Sequence, residues 1–363
     1  MKWRASQQRI PKNFSGPELL IPNFAKLMQR RSSILLIYTG GTIGMVNDAK
    51  TGRLKPFNFD KLLQEVPEIK KFNAKIDTHS FSKPIDSSNM EPPIWIELAQ
   101  IIGSNYAKYD GFVILHGTDT MGYTASALSF MLEDLGKPVI LTGSQLPIGT
   151  IRTDGKENLV TAIEIAADGK VNEVSIYFEF CLYRGNRTRK FNAENFKAFQ
   201  SPNYPTLADA GVHLKYNKGF ILPLPKARFK VRTELDTNVA ILKLFPGINA
   251  ATVKAMLSIK GLRALVLETF GAGNASSEKW FVTALANAIQ KGLVILNITQ
   301  CDAGAVEQGR YETSSGLAKA GVIGGGDMTT EAAVTKLMYL LAKEKSVVAV
   351  KKELVKSLRG ELS

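Results

Sequence analysis

Two short polar segments carry residues whose types and spacing could do chemistry. Thr39-Gly40-Gly41-Thr42 follows the apolar run 34–38, and His116-Gly117-Thr118-Asp119-Thr120 closes the apolar run 111–116. Glycines permit a tight turn and a close backbone approach to a ligand, while a strand leading into a helix presents hydroxyls, a carboxylate and free backbone N–H groups. Each segment alone also reads as an ordinary turn or a helix cap. Following two strands of one sheet, they read together as a single site. A threonine hydroxyl becomes a nucleophile when a base takes its proton and donors stabilise the oxyanion, and a lysine made neutral by its surroundings can be that base. The chemistry implied is acyl transfer. Lys156, in Asp154-Gly155-Lys156-Glu157, and Lys190, at the end of Tyr183-Arg184-Gly185-Asn186-Arg187-Thr188-Arg189-Lys190, are both candidates for the base, and spacing does not choose between them.

The elements that must position these groups are legible as alternation. Short, β-rich apolar runs at 34–38, 111–116, 139–141, 174–178, 239–244, 262–267 and 293–298 suit strands buried on both faces of a parallel sheet. Apolar residues at three- and four-residue spacing predict helices over 92–103, 120–135, 154–167, 275–291 and 329–343. Strand–helix alternation means an α/β fold with right-handed crossovers, and ligands in such sheets bind beyond the carboxyl ends of the strands, near the topological switch point. The pattern lapses between about Pro202 and Asp236, where prolines mix with charges and a hairpin is expected. The expected organisation is a basic N-terminal arm over 1–32, a larger catalytic α/β domain with a mostly parallel sheet flanked by helices over 33–215, a linker over 216–236, and a smaller C-terminal α/β domain over 237–363.

Composition bounds the function classes. A chain of 363 residues with 45% hydrophobic and 22% charged residues suits two packed domains and excludes collagen-like and wholly disordered classes. Two cysteines, Cys181 and Cys301, exclude a disulfide framework. The formal charge of +13 is concentrated at the start: residues 1–31 carry seven Lys or Arg against Glu18 alone, 7 − 1 = 6 of the 13. Prolines interrupt that leader, so it does not read as a secretory signal, and no apolar run is long enough to span a bilayer. A cytoplasmic protein is expected, with neither a membrane nor a nucleic acid as partner. Gly324-Gly325-Gly326-Asp327 reads as a turn plus N-cap, and His116 as a hydrogen-bonded structural residue.

The motifs TGGTIGM (39–45), DSSNM (86–90), HGTDT (116–120), LTGSQLP (141–147) and LYRGNRTRK (182–190), in this order, resemble the bacterial-type L-asparaginases, specifically the cytoplasmic type I branch, over residues 33 to about 343. The resemblance implies hydrolysis of L-asparagine to aspartate and ammonia through an acyl-enzyme. It implies Thr42 as the acylated nucleophile, with Thr118, Asp119 and Lys190 as a second cluster, and so selects Lys190 over Lys156. Asp119 would orient the substrate's α-ammonium, and Ser87 and Ser88 would hold its α-carboxylate. Asn274, in a segment that reaches a neighbouring subunit's site in this family, is a secondary substrate-binding candidate. A homotetramer built as a dimer of dimers is implied, and no cofactor or metal.

The sequence also departs from the family pattern. The lid stretch Thr51-Gly52-Arg53-Leu54-Lys55-Pro56 lacks the tyrosine that usually supports the nucleophile. Some type I enzymes bind asparagine at a regulatory site; Glu268 and Arg189 stand where an arginine and a threonine help form it, Cys301 is retained, and the expectation is that regulation is lost. Two other functions compete. An amidase subunit of a tRNA-dependent amidotransferase fits the charge, but that subunit normally carries an extra N-terminal β-domain and only about 32 residues precede the first strand here. A substrate-binding module without turnover would fit the missing tyrosine, but retention of Thr42, Thr118, Asp119 and Lys190 counts against it. Asparagine and glutamine differ by one methylene, worth about 1–3 kcal/mol in a pocket, and the sequence does not fix that preference.

Overall fold

The alternating apolar runs build two sheets. The structure, a computed structural model, describes residues 31–47, 54–56, 66–309 and 312–363. The expected basic arm, for residues 1–30, and the lid residues 51–53 lie outside the described residues. The first sheet contains β1 (Ser32–Gly40), β2 (Ala74–Ile85), β3 (Gly111–Leu115), β4 (Val139–Thr142), β5 (Val174–Phe178), β6 (Cys181–Arg184), β7 (Ala208–Ala210) and β8 (Leu214–Tyr216). Its order is β8-β7-β6-β5-β4-β3-β1-β2. The pairs from β2 through β5 are parallel, and the three involving β6, β7 and β8 are antiparallel. The sheet is mostly parallel, as the apolar runs predict, and the β7–β8 hairpin falls where the alternation lapses.

Alternate residues of β1 feed two cores. Leu35 and Ile37 pack toward α1 (Pro92–Asn105) and α2 (Met121–Met131), whereas Ile34, Leu36 and Tyr38 pack toward α3 (Gly155–Asp168). Burial on both faces is why these strands read as unbroken apolar runs instead of alternating ones. The second, smaller sheet is parallel, in the order β9 (Val239–Lys243), β10 (Ala264–Thr269), β11 (Val294–Thr299), β12 (Ile323–Gly324). One face carries α4 (Ala250–Leu257) and α5 (Lys279–Gln290). The other carries α7 (Thr330–Lys343) and α8 (Val347–Leu354), joined there by Phe130 of α2. Helix α6 (Glu312–Ala320) precedes β12.

Three expectations are corrected. The helix predicted over 120–135 stops at Met131, where Leu132 and Glu133 leave it as a short strand paired with Lys230–Val231. The helix predicted over 275–291 begins only at Lys279. The N-cap before α7 is Thr329, whose hydroxyl accepts from Ala332 N at 3.2 Å, and not Asp327, whose carboxylate is committed to Arg187 at 2.9 Å. No helix among the described residues is long and apolar enough to cross a membrane.

Candidate active site

From β1 the chain steps outward to β2 and then returns to the other side of β1 as β3, so the winding reverses between β1 and β3. Ligands in open α/β sheets bind at such a switch point, beyond the carboxyl ends of the strands. Thr42 follows β1 and Thr118 follows β3, so both hydroxyls lie at this switch point.

The loops meet at van der Waals distance because three residues lack bulk. Gly41 has φ +89°, and a Cβ there would stand 2.5 Å from Gly117 N and 2.6 Å from its Cα. A Cβ on Gly117 would in turn lie 2.5 Å from Ser87 Oγ, and one on Gly40 would lie 2.2 Å from Ile85 O. Glycine is required at 40 and 41 twice over, for the positive φ and for the close approach. Thr120 Oγ1 donates to Ser87 O at 2.8 Å, tying the β3 loop to the loop after β2. Beneath the loop after β1, the Tyr38 hydroxyl donates to Gly44 O at 3.3 Å and props the short turn Thr42–Gly44.

Lys190, and not Lys156, reaches this crevice. Lys156 is exposed on α3. Strand β6 runs back antiparallel, placing Arg184 opposite Ser175 near the start of β5. The chain turns at Gly185–Arg187 and climbs past α2, where Gly122 leaves room: a Cβ there would stand 3.0 Å from Thr188 O. Lys190 Nζ then donates to Thr118 Oγ1 and to Asp119 Oδ1, both at 2.8 Å. Thr118 is buried, and its hydroxyl donates to Gln145 Oε1 at 3.2 Å. Neither Thr118 nor Asp119 caps α2; Thr120 flanks that helix and makes no side-chain cap bond. Asp119 has a side chain 64% exposed, open to a cationic ligand group. Thr42 is half-buried and its hydroxyl makes no hydrogen bond to another described residue.

The two serines differ. Ser87 is buried at the meeting of the loops, and its Oγ makes no hydrogen bond to another described residue. Ser88 is exposed, and both its N–H and its hydroxyl are held by Asp86 Oδ1, at 3.0 and 2.9 Å. Asn274 lies on the loop after β10 in the smaller sheet, bridged through its backbone to Phe270; it does not join the Thr118–Asp119–Lys190 cluster of its own chain. His116 is fully buried, and burial pulls its pKa down to about 4, against a smaller upward pull from Gly117 O. Its Nδ1 lies 2.6 Å from Gly117 O and its Nε2 2.9 Å from Thr124 Oγ1, which also accepts from Trp95 Nε1. A neutral ring that donates from Nδ1 and accepts at Nε2 satisfies this chain of contacts, so His116 stiffens the β3 end.

Gln145 was missed by sequence reasoning. Besides accepting from Thr118, its Nε2 donates to Ala193 O and Asn195 O, both at 3.1 Å, and its backbone N–H is held by Asp154. It therefore sets the Thr118 rotamer while anchoring the segment beyond Lys190. The available signal was its place in LTGSQLP directly after β4, a third strand ending at the same crevice.

Comparison with known proteins agrees with this architecture. The family model "Asparaginase, N-terminal" matches residues 33–221 and "Glutaminase/Asparaginase C-terminal domain" matches 238–354. The chain is similar to L-asparaginase 1 of Escherichia coli K12, 44% identical over 92% of this chain and 99% of that one. It is also similar to the 60 kDa lysophospholipase of Mus musculus, 39% identical over 93% of this chain but only 64% of that longer protein. The crystal structure of L-asparaginase I from Vibrio cholerae superposes with a TM-score of 0.85 at 42% identity, covering 92% of this chain and 100% of the other. Motif order, the two matched domains and the shared fold all lead to one conclusion: this chain belongs to the asparaginase family.

Proposed function

We propose that the protein hydrolyses L-asparagine to L-aspartate and ammonia through an acyl-enzyme on Thr42. The observation that carries this is the lysine that donates at 2.8 Å to both a buried threonine hydroxyl and an adjacent carboxylate, at the switch point of the sheet. Asp119 receives the substrate's α-ammonium, and the free hydroxyl of Ser87 the α-carboxylate. Ser88, engaged by Asp86, serves through its place in the loop. Thr42 Oγ attacks the side-chain amide carbon, and its proton passes to the Thr118–Lys190 pair. The C–N bond breaks, ammonia leaves with a proton from that pair, and an ester to Thr42 remains. Water then attacks the ester with Thr118 and Lys190 as the base, releasing aspartate and restoring the hydroxyl.

Asn274 belongs to this proposal as a residue offered to a neighbouring subunit's site in a homotetramer, and the cytoplasm is the proposed location. Relatives named lysophospholipase extend well beyond the matched region, and the polar groups gathered at this crevice suit a small zwitterion. The test is ammonia release from purified protein given asparagine or glutamine, with Thr42→Ala and Thr118→Ala alongside. Each variant is expected to lose on the order of 10² or more in rate with unchanged circular dichroism. Near-normal turnover in a folded variant would remove that threonine from the mechanism.

A further inference from the structure

The turn Gly185–Arg187, which launches the segment bearing Lys190, is buried: it packs on α2 and β5, where a Cβ on Gly185 would stand 3.0 Å from Ala125 Cβ and from Val174 O, and its side chains reach the far end of the chain. Asn186, fully buried, donates through Nδ2 to Arg359 O at 3.0 Å. Arg187, with a side chain only 1% exposed, pairs with Asp327 at 2.9 Å and donates through Nη2 to Ser363 Oγ. Ser363 N in turn donates to Asp327 Oδ1 at 2.9 Å, closing a ring of three residues. Just before the turn, Arg184 is fixed by Glu173 at 2.6 Å and donates to Gly360 O at 3.3 Å. Gly360 has φ +75°, and a Cβ there would stand 2.2 Å from Arg184 Nη1, so the terminal segment lies flat on this guanidinium.

The terminal segment is itself anchored. Glu361 is fully buried and accepts from Lys336 Nζ of α7 at 2.6 Å and from the backbone N–H groups of Leu358 and Arg359. Lys336, also fully buried, donates to Leu354 O and Lys356 O. A buried carboxylate that satisfies two backbone donors and one ammonium fixes the path of residues 358–363. A rigid strap therefore spans from α7 to the turn that ends three residues before Lys190.

We propose that residues 358–363 act as a positioning strap for Lys190, with Asn186 and Arg187 as the positioning residues through which it acts. This rests on the reading of Lys190 as part of the catalytic base. Without the strap, the turn loses the partners of Asn186 Nδ2 and of one Arg187 nitrogen, and Lys190 can drift from Thr118 while the fold stands. Misplacement of a catalytic group by about 1 Å can cost on the order of 10² in rate, so partial loosening should register in turnover and not in substrate capture.

The experiment uses the chain of 363 residues with Asn186→Ala and Ser363→Ala combined, Arg187→Lys alone, and Lys190→Met as reference, each assayed for ammonia release from asparagine across pH. The expected result is a kcat roughly tenfold lower in the double variant, with KM within about twofold, a displaced limb in the pH profile and an unchanged circular dichroism spectrum. Arg187→Lys, which keeps a cation beside Asp327 but cannot reach both partners, should fall between wild type and the double variant. If the double variant does not fold, Arg187→Lys alone carries the test on the same readouts. Wild-type kcat and pH profile in folded variants, with Lys190→Met inactive, would overturn the strap and leave the catalytic reading intact. An active Lys190→Met would overturn the catalytic reading and the strap with it.

Discussion

Replacing Gly41 by alanine tests whether the crevice depends on the contact between its two loops. The new methyl would sit 2.5 Å from Gly117 N, 2.6 Å from Gly117 Cα and 2.9 Å from His116 C, all backbone atoms that no rotamer change can move. Restoring contact at about 3.4 Å asks for a displacement of roughly 0.9 Å, the difference from 2.5 Å. Gly117 is itself packed on Ser87, so the β3 loop has nowhere to retreat and the movement falls on Thr42. A shift near 1 Å costs on the order of 10² in rate. Holding alanine at φ +89° and ψ 171°, a region essentially confined to glycine, adds on the order of 1–3 kcal/mol of backbone strain. The expected variant is folded, with a melting temperature lowered by several degrees and kcat for asparagine down about a hundredfold. Stopped assays of ammonia with matched circular dichroism melts would show this. A folded Gly41→Ala enzyme with near-normal kcat would mean that the position of Thr42 relative to Thr118 does not control the rate, and the reasoning would fail.

Three further outcomes follow. Glu361→Ala strands Lys336, fully buried in α7, and should cost about 3–5 kcal/mol in urea unfolding, whereas replacing both partners by apolar residues should recover most of the loss; a neutral Glu361→Ala would contradict a buried ionic anchor. Glu133 ties the strand after α2 to α7: burial raises its pKa, but the Tyr339 hydroxyl, Lys343 and Arg232 outweigh this and hold it at about 2. Its stabilisation is thus complete above the unfolded value near 4.5 and is lost as pH falls toward 2, so the stability gap between wild type and Glu133→Gln should shrink by about 3 kcal/mol over that window; a gap independent of pH would refute the assignment. Finally, Glu268 accepts from Thr330 at 2.6 Å and Arg189 is paired with Asp302 at 2.8 Å, so both are committed within the chain and rate against asparagine should be hyperbolic; a sigmoidal curve from a homogeneous oligomer would show a working second site.

Much of the fold was legible because strands buried on both faces have no polar side to display, and β5, at 174–178, was bounded to the residue. Strand β2 was missed for the opposite reason. It is an edge strand, AKIDTHSFSKPI, with most residues exposed or half-buried, and neither a period nor an apolar run survives there. The β5–β6 hairpin was missed because its turn places Glu179 and Phe180 at φ +46° and +66° without the glycine or asparagine that usually marks such turns. The two threonine loops could be paired from sequence because each follows its strand directly. Lys190 could be preferred over Lys156 only through family resemblance, since the distance from Phe178 to Lys190 is covered by a strand that runs backward. The terminal strap left no sequence signal: Arg359-Gly360-Glu361-Leu362-Ser363 reads as a polar chain end, and only the tertiary fold buries Glu361 against Lys336.

On the proposed mechanism, Thr42 at the β1–β3 switch point is acylated with Thr118 and Lys190 as its base. The most direct measurement is peptide mass spectrometry of enzyme quenched during turnover of asparagine, read for a β-aspartyl ester. The adduct is expected on the peptide containing Thr42, with none in Thr42→Ala and ammonia release abolished in that variant. An adduct found only on the Thr118 peptide, or undiminished ammonia release from Thr42→Ala, would contradict it.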